Sequence, residues 1–123
     1  MLVVDDHAVF RRGLETVLSL EPDIEVVGEA SDGEQGLALA VELAPDVVLM
    51  DVRLGVHRRG GIEACTAIRD VVPTAEIIML TSSDEDEDLF EALKAGAKGY
   101  LLKDLAIDDV PSSIRAVHSG HSL

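Results

Sequence analysis

The sequence predicts an α/β domain, a doubly wound parallel sheet with helices on both faces, and three observations carry that expectation. Short aliphatic runs alternate with stretches of helical spacing, each run is apolar at successive positions, and prolines stand between a helical stretch and the run after it. A length of 123 residues, 47% of them hydrophobic, supplies one core and leaves no room for a second folded domain.

The runs are Leu2-Val3-Val4, Ile24 to Val27, Val47 to Met50, Ile77 to Leu80 and Tyr100 to Leu102. Each is too short for a helix, and the lack of polar alternation marks strands covered on both sides. Between them, apolar residues at helical spacing predict five helices: Phe10, Leu14, Val17 and Leu18; Leu37, Ala40, Val41 and Ala44; Ala64, Ala67, Ile68 and Val71; Leu89, Ala92, Leu93 and Gly96; and Val110, Ile114 and Val117. Pro22, Pro45 and Pro73 each stand a few residues before a strand, where a helix has to stop. Gly96 and Gly99 bracket the turn into the last strand. Asp32 and Asp84 are expected N-caps, and the acidic run Asp84 to Asp88 then favours a helix N-terminus. Proline fits only a first helical turn, so Pro111 predicts a late last helix, starting near Asp109 or Val110 with Ile107-Asp108 outside it.

Composition narrows the function. Twenty-four Asp and Glu against ten Lys and Arg give a formal charge of −14, which repels nucleic acid phosphates, so direct nucleic acid binding is not expected. With one Tyr, two Phe and no Trp there is no aromatic platform for stacking bases. Cys65 is alone, which excludes an intramolecular disulfide, fits a reducing compartment and suggests a small apolar filler. No apolar run is long enough to span a membrane and the N-terminus lacks the pattern of a signal peptide, so no membrane contact and a cytoplasmic location are the expectations. Neither GxxxxGK[ST] nor GxGxxG occurs, so a Gly-rich nucleotide loop is not supported. His118 and His121 lack neighbouring ligands and read as solvated. His7 is expected beside the site described next, at the start of helix one.

In a parallel sheet of this kind ligands sit at the carboxyl ends of the strands. There the chain places Asp5-Asp6 after the first run, Asp51 after the third, Thr81-Ser82 after the fourth and Lys103 after the fifth. Carboxylates about 4 Å apart repel by roughly 4 kcal/mol per pair at an effective dielectric near 20, so three on one rim call for a cation. Mg²⁺, or Mn²⁺ in its place, suits a few carboxylates, waters and a phosphate oxygen. A carboxylate can also attack phosphorus to give an acyl phosphate where the transferring charge is neutralised. Asp51 is therefore the expected phosphoacceptor. Asp6 and Asp51, with Asp5 beside them, would hold the metal, Lys103 would approach Asp51 from the opposite side, Thr81 would hydrogen-bond the phosphoryl group, and the Arg53 backbone carbonyl would complete the metal sphere.

Six segments, in order along the chain, resemble the receiver domain of bacterial two-component response regulators: Val3 to His7, Phe10 to Leu14, Val27 to Gly33, Leu49 to Leu54, Leu80 to Ser82 and Gly96 to Lys103. The Gly28 to Gly33 and Gly99 to Asp104 stretches are similar to the NarL/FixJ subfamily, whose output is a C-terminal helix-turn-helix of LuxR type. The resemblance implies a flavodoxin-like (CheY-like) fold with strand order 2-1-3-4-5 over residues 1–123, and a function as a regulatory phosphoacceptor. By it Asp51 takes the phosphoryl group, Asp5 and Asp6 are the acidic pair for Mg²⁺, Thr81 is the switch hydroxyl, Lys103 the matching lysine, and Tyr100 the aromatic that turns inward when Thr81 moves. It also implies a sensor histidine kinase as donor, a LuxR-type DNA-binding domain beyond residue 123, and a phosphorylation-dependent homodimer through helices one and five.

The sequence departs from the family where Gly55 takes the place of a usual proline and the Gly55 to Gly61 loop is longer, with Arg58-Arg59 read as its solvated tip. Two other functions compete with this one. Phosphatases of the haloacid dehalogenase type resemble this site but place a second Asp, their general acid, where Arg53 stands, so that reading loses its catalyst. A receiver-like scaffold that binds partners through the face of helices four and five without being phosphorylated is opposed by the complete set of strand-end residues and kept open by the lengthened loop.

Overall fold

Strands and helices alternate in the computed structural model, which describes residues 1–54, 60–81, 86–103 and 107–120, the side chains of 86–89 excepted. The elements are β1 (Leu2–Val4), α1 (Ala8–Leu18), β2 (Gly28–Ala30), α2 (Gly33–Leu43), β3 (Val47–Asp51), α3 (Gly60–Val71), β4 (Glu76–Thr81), α4 (Asp86–Lys94), β5 (Gly99–Leu102) and α5 (Val110–His118). All ladders are parallel, and the sheet order is β2-β1-β3-β4-β5, the order implied by the resemblance.

Alternation along β3 explains its unbroken apolar run. Val48 and Met50 join the core under α2, α3 and α4, with Ala40, Ile62, Cys65, Ile68 and Ala92. Val47 and Leu49 join the core under α1 and α5, with Leu14, Leu18, Val110, Ile114 and Val117. Each fully buried aliphatic side chain of this size contributes about 1.5–3 kcal/mol. Cys65 is a buried filler as expected, and desolvation pushes its thiol up to about 11.

Local signals behave as chemistry dictates. Asp32 caps α2, accepting from the Gln35 amide at 2.7 Å, while Gln35 Oε1 accepts from the Ser31 amide at 3.0 Å. The last helix is late: its cap is Asp109, Pro111 falls in its first turn, and Ile107 to Asp109 form a turn ahead of it. Gly96 adopts φ 102° in the turn between α4 and β5, a left-handed conformation that glycine accepts freely.

Two expectations need correction. The Ile24 to Val27 run is not strand two, because β1 pairs Leu2 with Gly28 and leaves only Met1 beside the run, bonded through Val27 N to Met1 O at 2.8 Å. The run is apolar for another reason, since Ile24 and Val26 pack against the α1/α5 core. The expected stripes hold on α1 and α5, where Leu14, Leu18, Val110, Ile114 and Val117 are buried, but Val41 on α2 is 59% and Val71 on α3 57% exposed, while Gly36 on α2 and Ile62 on α3 face inward. On α2 the cause is close approach, since a Cβ at Gly36 would lie 2.9 Å from Val4 Cγ2. Gly55, Arg58-Arg59, Ser82, the Asp84 cap and His121 lie outside the described residues.

Candidate functional site

Among the described residues the buried polar or charged side chains are Asp5, Asp51, Thr81 and Ser113, and three of these stand at the carboxyl edge of the sheet. Burying a carboxylate is costly unless it is paired, so these placements need a compensating charge. Backbone ladders fix them: the Asp5 amide donates to Ala30 O at 3.0 Å, extending the β1–β2 pairing, and Asp51 pairs with Leu80 at the end of β3. Gly61 closes the same corner, where a Cβ would come within 1.7 Å of the Asp51 carbonyl oxygen, so only glycine lets α3 start there.

Lys103 reaches across the rim from the end of β5. Its Nζ donates to Asp51 Oδ2 at 3.1 Å and lies 2.7 Å from Asp5 Oδ2. The second contact is an ion pair without hydrogen-bond angles, and Asp5 Oδ2 is left buried with no hydrogen bond. Asp51 Oδ1 accepts from the Arg53 amide at 3.2 Å. Burial raises the Asp51 carboxyl above its ordinary value; the Lys103 charge pulls it back, and the neighbouring Asp5 charge adds to the rise. Thr81 is buried at the end of β4, one residue past the ladder partner of Asp51. Met79 pairs with Tyr100 and Thr81 with Leu102, so Thr81 and the half-buried Tyr100 share a face of the sheet.

The structure corrects the expectation for His7, which lies in the site and not beside it. Its Nδ1 is 3.2 Å from Asp5 Oδ1, 3.2 Å from Asp6 Oδ1 and 3.7 Å from Asp51 Oδ2. The cause is a tight turn after β1, in which Asp5 Oδ1 accepts from the His7 amide at 2.7 Å and draws the ring inward. Phe10 and Arg11 on α1 were also missed as site residues. Lys103 Nζ sits 4.6 Å from the Phe10 ring centroid, a cation–π contact, and the Arg11 guanidinium donates to the Asp5 carbonyl while lying 3.4 Å from Glu29. Their spacing of three and four residues from His7 was the available signal.

The donor atoms of Asp5, Asp6, His7 and Asp51 all lie within 4.8 Å of one another. Together with the unbonded Asp5 oxygen, they fit a hard divalent cation that keeps part of its water shell.

Comparison with known proteins now decides the family. The model of the response regulator receiver domain matches residues 1–115. The chain belongs to that family. It is 45% identical to the transcriptional regulatory protein LiaR of Bacillus subtilis over 98% of its length and 56% of that protein. It is 40% identical to the nitrate/nitrite response regulator NarL of Escherichia coli over 98% of its length and 55% of that protein. The receiver domain thus spans little more than half of these relatives, which are of the NarL/LuxR type. Among solved structures, the signal receiver domain of a NarL response regulator from Mycobacterium tuberculosis superposes with a TM-score of 0.90 at 33% identity, covering 98% of this chain and 95% of that one. The response regulator domain of Thermotoga maritima CheB gives 0.86 at 29%, covering 96% and 94%. No helix among the described residues is long and apolar enough to cross a membrane.

Proposed function

We propose that this receiver domain accepts a phosphoryl group on Asp51 from the phosphohistidine of a sensor histidine kinase. The observation that carries this reading is the burial of Asp51 between Lys103, at 3.1 Å, and the acidic cluster of Asp5 and Asp6. Asp5, Asp6, Asp51 and the Arg53 carbonyl would hold Mg²⁺ or Mn²⁺. When bound, the ion supplies positive charge to the phosphoryl oxygens.

The chain's own residues supply the rest. Burial makes the Asp51 carboxylate more basic and so a better nucleophile than a solvated one. One of its oxygens forms a bond to phosphorus as the N–P bond of the donor breaks, and the departing imidazole nitrogen takes up a proton. Lys103, which stands against both Asp51 and Asp5 and not on the side opposite the acidic pair, neutralises the incoming charge, and the Thr81 hydroxyl bonds the attached phosphoryl. Movement of Thr81 makes room for Tyr100, on the same face, to turn inward. The switch then works by population shift, since the phosphoryl group binds one arrangement better than the other. Residues 1–123 act as the receiver part of a cytoplasmic transcriptional regulator, coupled to a LuxR-type DNA-binding domain and to a phosphorylation-dependent homodimer.

Incubation with a small phosphodonor, with and without Mg²⁺, followed by intact mass measurement, tests the reading. Wild type should gain one phosphoryl group only with the metal, and Asp51→Asn should gain none. Uptake by the variant equal to wild type would remove Asp51 from the role, and no uptake by either would favour a scaffold.

A further inference from the structure

His7 stands among the acidic side chains of the site, and the phosphoacceptor reading does not use its chemistry. Its imidazole is anchored from the backbone, because the His7 amide is tied to Asp5 Oδ1 at 2.7 Å. Its Nδ1 stands 3.1 Å from Lys103 Nζ. In the Nε2–H tautomer Nδ1 accepts from that ammonium and turns its lone pair into the site; in the Nδ1–H tautomer it donates to Asp5 Oδ1 at 3.2 Å. The same nitrogen faces Asp5 Oδ1 and Asp6 Oδ1 at 3.2 Å each, and those oxygens are acceptors too. In the first tautomer three lone-pair atoms converge, an arrangement that a cation turns from repulsive to bound.

The spacings suit one ion. Octahedral coordination with bonds of about 2.1 Å puts adjacent donors about 3.0 Å apart and opposite donors about 4.2 Å apart. Nδ1 meets two carboxylate oxygens near the shorter separation, at 3.2 Å, and the third, Asp51 Oδ2, at 3.7 Å, between the two. Asp5 Oδ2, buried with no hydrogen bond, shares the Lys103 ammonium, 2.7 Å away, with Asp51 Oδ2, so two buried carboxylates face one positive charge, a second observation that favours a cation in the same cluster.

We propose that His7 Nδ1 is a further donor to the cation of the acidic cluster, and that it gives the site a preference for imidazole-seeking divalent metals such as Co²⁺ and Ni²⁺ over Mg²⁺. The inference rests on the reading of Asp5, Asp6 and Asp51 as a cation site. Its basis is ligand chemistry: Mg²⁺ keeps oxygen ligands and water, so it gains little from a nitrogen, whereas Co²⁺ and Ni²⁺ gain substantially. His7 then sets which metal occupies the receiver when several compete.

The test is titration of the metal-stripped, untagged chain with MgCl₂, CoCl₂ and NiCl₂ by calorimetry, for wild type, His7→Ala and Asp6→Asn. The His7 side chain makes no cap hydrogen bond to α1, so its removal spares the helix, which circular dichroism checks. His7→Ala should weaken Co²⁺ and Ni²⁺ by about tenfold or more and leave Mg²⁺ within about twofold, while the ligand-field bands of bound Co²⁺ move to lower energy as a nitrogen is lost. Asp6→Asn should weaken all three. Equal weakening of every metal by His7→Ala, no weakening of any, or an unshifted Co²⁺ spectrum would overturn the proposal. Tighter Mg²⁺ binding by His7→Ala would also overturn it, by making the ring a stand-in for the ion. Should wild type bind no divalent metal at all, the cation-site reading itself would fall, and the two failures are thus distinguishable.

Discussion

Two ion-pair clusters in this molecule use the same charges to opposite ends. On the surface, Arg115 of α5 grips Asp23 through Nε and NH2, both at 2.9 Å, and reaches Glu21 at 2.7 Å. That forked geometry holds the Asp23 carboxyl down to about 2. At the sheet edge, Lys103 faces two buried carboxylates with a single ammonium, yet burial still raises Asp51 above its ordinary value. The surface cluster is satisfied and chemically inert. The rim cluster sets two buried carboxylates against one ammonium, which leaves Asp51 more basic than usual and, in the proposed function, suits it to attack on phosphorus and the set to a cation. Good pairing stabilises a fold; withheld pairing prepares a site.

Removing the cation from each cluster should separate them most sharply. Lys103 is only 11% exposed, so Lys103→Met leaves Asp5 and Asp51 buried without a counter-charge. Breaking a buried pair in this way costs about 3 kcal/mol. A fall in the urea unfolding midpoint of metal-free protein is expected, and added Mg²⁺ should recover much of it. Loss of stability that Mg²⁺ leaves untouched would show that Lys103 acts through packing on Phe10 instead of through charge.

The reverse change at the rim should stabilise. The Asp51 proton is held more tightly in the folded chain than in the unfolded one, so between 3.8 and the raised folded value stability falls as pH rises. Asp51→Asn removes that penalty and should gain on the order of 1 kcal/mol in metal-free buffer at neutral pH. The gain should vanish on acidification below the ordinary carboxylate range. Melting both proteins across pH checks the sign: an Asn variant less stable at neutral pH would mean that Lys103 more than offsets burial.

How much of this was readable in advance follows the same division between satisfied and unsatisfied groups. Four of the five strands were legible because burial on both faces leaves only Val, Leu, Ile and Met in a strand such as β3. The second failed because β2 carries Gly28 and Glu29 at the sheet edge, where one ladder suffices, while the apolar Ile24 to Val27 run serves the α1/α5 core instead. Asp51, Asp5 and Lys103 were visible as polar residues ending apolar runs, and the topology does bring them together. His7, Phe10 and Arg11 were not, since their spacing groups them at the start of α1 while their role depends on how one turn aims α1 across the rim, an angle that spacing does not encode. Helix faces were legible on α1 and α5 and less so on α2: contact through Gly36 turns α2, and a glycine adds nothing to an apolar stripe.

The smallest effect belongs to the surface cluster, despite its better distances. Arg115→Gln breaks contacts to Asp23 and Glu21, but those groups are already hydrated and lose little on release. The expected shift of the unfolding midpoint is a small fraction of that for Lys103→Met, and it should shrink further in high salt. Its pH course is opposite to that of Asp51. Asp23 is depressed, so its contribution is complete above 3.8 and is lost as pH falls through about 2. Midpoints of Arg115→Gln and wild type should therefore differ slightly at neutral pH and converge in strong acid, whereas Asp51→Asn and wild type part company as pH rises. An Arg115 effect as large as that of Lys103 would mean that the exposed fork ties the Asp23 turn to α5 in a way that exposed charge alone does not explain.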